Sequence, residues 1–237
     1  MSKPIKALLF DVFGTVVDWR TSVASELTAF FEPRGIKRDW IPFILEWRAL
    51  YQPAMEAVRS GTREFVVLDV LHRENLLQLL AEYKINGLSD DEIQHLTNVW
   101  HRLTPWPDCV PGLTRLKRKF ILATLSNGNI SLMVNLARFG GLPWDAILGA
   151  EVTQSYKPDP RTYLGTASAL GLTPSDCMMV AAHNDDLRAP RALGFGTAFV
   201  ARTTEYGPNQ TVDLVPDDDW DFVTDSMTGL ADILLSD

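Results

Sequence analysis

The stretch "LLFDVFGTVVDWR", residues 8–20, decides how the rest of the chain is read. Its apolar start extends the run "IKALLF" from residue 5. A run this short, with a turn after it, predicts a buried strand. Asp11 ends the run, and Gly14 and Thr15 come soon after. A carboxylate at the tip of a buried strand is either a turn residue or a chemical group. Phe13, two positions further on, has no polar atom to offer the same tip.

Working outward, similar short runs recur: "FILATL" (120–125), "AILGA" (146–150), "CMMVAA" (177–182) and "TAFVA" (197–201). Helical period lies between them. "NISLMVNLARFG" (129–140) stops at a glycine pair, "DPRTYLGTASALG" (159–171) opens with Pro160 in its first turn, and "DDLRAPRALGFG" (185–196) is shortened by Pro190. Alternating strand and helix predicts an α/β fold, a Rossmann-like parallel sheet covered on both faces. One region breaks the alternation. From Arg20 to Trp106 the patterns are almost wholly helical: residues 21–35, 40–61, 63–87 and 89–103. The last opens on a Ser89 to Glu92 capping box. The expectation is a helical-bundle cap at 20–106, inserted into a core made of 1–19 and 107–237.

The chain has 237 residues, 46% hydrophobic, which suffices for one large core with a smaller unit beside it. A net charge of −8 argues against a nucleic-acid partner. Cys109 and Cys177 stand far apart without metal-ligand spacing, so neither a disulfide framework nor a zinc site is expected. No apolar run is long enough to span a membrane, and the N-terminus lacks a signal-peptide layout. A cytoplasmic protein is the expectation.

Ligands of open parallel sheets bind beyond the carboxyl ends of the strands. Asp11 comes after the first strand, Ser126 and Asn127 after "FILATL", and His183, Asn184, Asp185 and Asp186 after "CMMVAA"; Lys157 precedes the helix at 160. A nucleophile, a cation, anion-binding donors and a base would thus meet at one edge.

In this order, "DVFGT", "LSNGN", "YKPDP" and "HNDD", with a helical insertion after the first, resemble the haloacid dehalogenase-like hydrolase superfamily over almost the whole chain. The resemblance implies Asp11 as nucleophile. Phosphatases of the superfamily carry a second aspartate where this chain has Phe13, which cannot protonate a leaving alkoxide. They carry Gly-Asp where this chain has Ala181 and Ala182, so a carboxylate for Mg²⁺ is missing. A leaving group that needs no proton suits such a site, and halide is one. The L-2-haloacid dehalogenase branch has an aromatic residue at the position of Phe13. "EWRALYQPAMEAV" resembles its segment bearing the halide-binding arginine, here Arg48, and Tyr163 matches in type and in spacing from Lys157.

The resemblance therefore implies hydrolysis of short 2-haloalkanoic acids to 2-hydroxy acids through an ester on Asp11, with no cofactor or metal. Asp11, Lys157, Asp186, His183 and Arg48 are the expected catalytic residues. Thr15, Ser126, Asn127, Phe13 and Tyr163 are expected to bind or frame the substrate. His183 stands where the branch has Asn, and either it or Asp186 activates water. Arg48 and a protonated His183 as donors lead to the expectation that haloacetates are favoured over long-chain 2-haloacids and that fluoroacetate is turned over slowly, and a homodimer is an expectation by analogy. Plainer roles stay open: Ser126 and Asn127 as caps of the helix at 129, Lys157 as a solvated loop residue, Arg48 as a surface residue. A Mg²⁺ phosphatase using Asp185 and Asp186 is the alternative enzyme, and a non-catalytic small-molecule binder on this fold is the third reading.

Overall fold

The computed structural model describes residues 4–236. The chain runs β1 (Ala7–Phe10), β2 (Val17–Asp18), α1 (Trp19–Phe31), α2 (Ile41–Arg59), α3 (Leu68–Glu82), α4 (Asp90–Thr97), β3 (Thr104–Pro105), α5 (Cys109–Leu116), β4 (Ile121–Thr124) and α6 (Ile130–Gly140). It continues with α7 (Pro160–Ala169), β5 (Cys177–Ala181), α8 (Asn184–Ala192), β6 (Gly196–Val200), β7 (Phe222–Thr224) and α9 (Met227–Leu234). Five parallel strands form one sheet in the order β4-β1-β5-β6-β7. β1 lies inside the sheet and is wholly buried, with Phe10 in register with Thr124 on one side and Val180 on the other. Its uninterrupted apolar run reflects burial on both faces. Among the described residues no helix is long and apolar enough to cross a membrane.

Helices α1 to α4 form the insertion after β1. Aromatic side chains interlock here with Trp100 of the turn after α4: Trp19 stacks on it at 6.3 Å between centroids, and Trp47 meets it edge-on at 5.4 Å. The predicted capping box at Ser89 and Glu92 starts α4. β2 and β3 pair antiparallel where the chain leaves and re-enters the sheet layer. This two-strand ribbon sets the insertion on the sheet's carboxyl edge.

Three local expectations are corrected. The segment 63–87 is helical only from Leu68, because Phe65 to Val67 stay outside the helix and Val66 O accepts a hydrogen bond from Tyr156 Oη at 2.6 Å. The expected strand at 146–150 makes a single bridge, Ala146 to Ala123. The Thr124 hydroxyl takes the Leu148 N–H and donates to the Leu148 carbonyl, both at 2.8 Å, so a side chain replaces the ladder there. Ser126 and Asn127 do not cap α6: its N-cap is Asn129, and the Ile130 amide goes to Glu151 Oε1 at 2.7 Å. Helices α5 and α9 and strand β7 had no clear pattern in the sequence. Pro111 and Gly112 disguise α5, yet Gly112 packs where a Cβ would lie 2.5 Å from the Met227 backbone of α9.

Candidate active site

Asp11 leaves β1 while its amide still bonds Val180 O at 3.0 Å, so the sheet fixes its backbone. Its side chain is almost buried and each oxygen is held. Oδ1 accepts from Lys157 Nζ at 2.8 Å, and Oδ2 accepts from Thr15 Oγ1 at 2.7 Å. Thr15 in turn accepts from the Ala182 amide at 2.8 Å, tying the turn after β1 to the end of β5. Lys157 Nζ also reaches Asp186 Oδ2 at 2.5 Å. The lysine is only 6% exposed, so this is a buried ammonium shared by two carboxylates rather than a solvated loop residue.

The charges set one another. Burial alone would raise the Asp11 carboxyl, but Lys157 and His183 outweigh it and hold it well below the usual carboxylate range. Burial would lower the Lys157 ammonium, but Asp11 and Asp186 hold it above its ordinary value. Asp186 moves the other way: burial and the neighbouring Asp11 charge push it up against the pull of Lys157. Two carboxylates around one cation thus have their protonation pulled apart.

A cavity of about 460 Å³ opens over Asp11. Phe13, Arg48, Tyr51, Asn127, Lys157 and His183 are among its lining residues. Arg48 reaches it from α2, with its guanidinium 4.2 Å from the Tyr51 ring centroid and 5.7 Å from that of Trp19. Its buried Nε has no hydrogen-bond partner among the described residues. The arginine is therefore a partly buried cation facing a hollow, not a surface residue. Asn127 Oδ1 accepts from the Lys157 amide at 2.8 Å, which joins the loop after β4 to the lysine loop.

Three residues expected at the substrate sit behind the cavity wall. Thr15 is buried beneath Asp11. Ser126 is buried too, its Oγ accepting from the Gly128 amide at 3.1 Å. Tyr163 lies in the core and donates its hydroxyl to Asp186 Oδ1 at 3.0 Å. Their geometry suits holding the groups that face the cavity.

Sequence reasoning missed the loop after β6. Glu205 is 1% exposed and lies beside His183, whose Nε2 is 2.9 Å from Glu205 Oε2. The other side of the ring faces Asp11, with His183 Nδ1 3.4 Å from Asp11 Oδ2. Burial would lower the ring, but Glu205 and Asp11 raise it well above its ordinary value, which favours the imidazolium form. Tyr206 and Asp213 from the same loop also line the cavity. Asp11, Ser126, Asn127, His183 and Asp186 stand just past the carboxyl ends of strands, and the same position after "TAFVA" leads to this loop.

The donors do not fit the Mg²⁺ that phosphatases of the fold use. Phe13 and Ala182 supply no oxygen ligand from their side chains, the Asp185 side chain is 94% exposed and paired with Arg188, and Asp186 is committed to Lys157 and Tyr163.

A family model described as haloacid dehalogenase-like hydrolase matches residues 5–194. A curated relative, an (S)-2-haloacid dehalogenase of Xanthobacter autotrophicus, is 30% identical over 208 residues, 85% of this chain and 77% of that protein. Among solved structures, a defluorinating L-2-haloacid dehalogenase is 48% identical with a TM-score of 0.96, covering 98% of this chain and 95% of that one. Another L-2-haloacid dehalogenase is 45% identical with a TM-score of 0.95, covering 98% and 100%. The chain belongs to the haloacid dehalogenase-like hydrolases. Within them it falls in the branch of the L-2-haloacid dehalogenases.

Proposed function

We propose that this hydrolase cleaves carbon–halogen bonds in short 2-haloalkanoic acids, with Asp11 as nucleophile. The relatives' activity supports the reaction class. The observation that carries the mechanism is an ionised Asp11 facing a cavity in which Phe13 occupies the place of a proton donor. An Asp11 oxygen displaces the halogen at C2 from the opposite side, and the carbon–halogen bonding pair leaves with the halide. Arg48 faces that departing charge across the cavity with a partly buried guanidinium. Asn127, which lines the cavity, holds the substrate carboxylate, and Ser126 braces the turn behind it. Water then attacks the ester carbonyl and releases the 2-hydroxy acid. Only the first step touches C2, so its configuration inverts.

Arg48, facing the departing halide, is a charge-assisted donor of the kind that fluoride requires as a leaving group. Haloacetates are therefore the favoured substrates and fluoroacetate is turned over slowly, in keeping with the defluorinating relative.

The test is a single turnover of chloroacetate in heavy-oxygen water with enzyme in excess. Label is expected on Asp11 and not in glycolate; label entering glycolate in that first turnover refutes the ester. Turnover is expected to persist in EDTA, to vanish in Asp11→Asn, and to be absent with a generic phosphate ester.

A further inference from the structure

Glu205 is an expensive residue to keep. It is a buried carboxylate far from the family's motifs, and His183 is its one ion-pair partner among the described residues. An unmatched buried charge is strongly unfavourable, so its surroundings should show what it is for. Trp19 Nε1 donates to Oε1 at 2.8 Å, fixing one oxygen to the start of the cap. Gly14 leaves room for the carboxylate, since a Cβ at that position would lie 2.1 Å from Oε1. The remaining oxygen is aimed at His183 Nε2. Glu205, His183 and Asp11 therefore form a line, with one side of the imidazole held by an acceptor and the other directed at the nucleophile.

We propose that His183 is the acid–base group of the second half-reaction and that Glu205 is the positioning residue that holds it to that task. This rests on the ester reading of the preceding section. While Asp11 is a carboxylate, His183 sits between two anions and carries both ring protons. Alkylation turns Asp11 into a neutral ester, and Nδ1 loses its anionic neighbour. The Nδ1 proton then departs to solvent with the halide. Glu205 keeps the Nε2 proton, so the Nδ1 lone pair is the one that faces the ester.

Every atom in the second half-reaction is accounted for. His183 Nδ1 takes one proton from water as the water oxygen bonds to Asp11 Cγ. The tetrahedral centre collapses by breaking its bond to the oxygen attached to C2. That oxygen receives the proton from His183, giving the 2-hydroxy acid. Asp11 is left as a carboxylic acid, and its proton passes to His183, restoring the resting imidazolium. The sum is one water consumed and one proton and one halide released.

The rival base, Asp186, has one oxygen on Lys157 and the other on Tyr163. The other charged or titratable groups sharing the cavity with His183 are Asp11 from the β1 loop, Lys157 ahead of α7, Arg48 and Tyr51 from α2, Asp185 and Asp186 on α8, and Tyr206 and Asp213 after β6. Of these, Asp11 is the one whose charge the first step removes.

The experiment quenches chloroacetate turnovers at intervals and tracks the carboxymethyl ester on Asp11 by mass spectrometry. Glu205→Gln is expected to slow ester decay about tenfold, and His183→Asn about a hundredfold, the range of a lost general base, so that ester accumulates in both. Glu205→Asp is expected to restore part of the rate. In Glu205→Gln the acid limb of ester decay moves to lower pH, because the carboxylate that raises the ring is gone; a merely structural role leaves that limb in place. If Glu205→Gln fails to fold, His183→Asn carries the test. Ester decaying at the wild-type rate in these variants, or accumulating only in Asp186→Asn, overturns the proposal. Wild-type enzyme that releases no halide and forms no ester refutes the underlying reading instead.

Discussion

Replacing Lys157 by Met keeps the volume and apolar stem of the side chain and removes the charge. Lys157 Nζ lies 2.8 Å from Asp11 and 2.5 Å from Asp186, with 6% of the side chain exposed. At an effective dielectric of about 20, each contact is worth roughly 6 kcal/mol before the cost of burying the ions. Breaking such a buried arrangement by deleting one partner typically costs about 3–5 kcal/mol net. For a chain of this size that lowers Tm by roughly 6–20 °C at neutral pH. The variant relieves two facing carboxylates by taking up a proton, so one of them acquires a folded-state pKa above its unfolded value. A raised group contributes stability that is fully present below the unfolded pKa and is lost as pH rises through the folded one. In the wild type Asp11 is lowered instead, and its contribution, present above 3.8, is lost as pH falls through the folded value. The gap in Tm between the two proteins should therefore be widest near neutrality and close toward pH 4. Thermal melts at steps from pH 4 to 8 measure it, and quenched turnovers measure ester formation, which should fall because the proton shared by the pair disables the nucleophile. A Tm gap independent of pH, or ester formation at the wild-type rate, would refute the reasoning.

Gly14→Ala places a side chain at φ +88 and against Glu205. Backbone strain and overpacking together cost about 2–5 kcal/mol, and ester decay should slow as it does in Glu205→Gln; the stability cost should shrink in a Glu205→Ala background, which a double-mutant cycle of melts would show. Haloacetates alkylate thiolates, so the proposed substrates are reagents that could inactivate the enzyme. Burial pushes the Cys109 thiol up to about 12 and Cys177 up to about 11. Iodoacetate should therefore leave both unlabelled in the native protein and label both in denaturant, with prompt native labelling counting against that protection.

The parts of this site that the sequence announced are those tied to the ends of regular elements. Asp11, Asn127, His183 and Asp186 each come after a strand of one parallel sheet, and a parallel sheet has only one carboxyl edge at which they can meet. Lys157, 146 positions from Asp11, is brought to it by the same topology. Orientation was not legible to the same degree. Tyr163 lies six residues past Lys157 on a helix, and spacing alone does not say whether its hydroxyl faces a ligand or the back of Asp186. Glu205 was less legible still. In "RTTEYG" it reads as an ordinary loop carboxylate, and only the approach of Gly14, Trp19 and His183 from elsewhere in the chain buries it. The opening stretch and Glu205 nonetheless answer one another. Phe13 removes a proton donor from the tip of β1, and the Glu205–His183 pair supplies a proton-carrying group from the far side of the same carboxylate. In the proposed mechanism, a site that gives up the acid needed to expel an alkoxide in its first step still has to protonate an alkoxide in its second, and the histidine beside Asp11 is the group proposed to supply that proton.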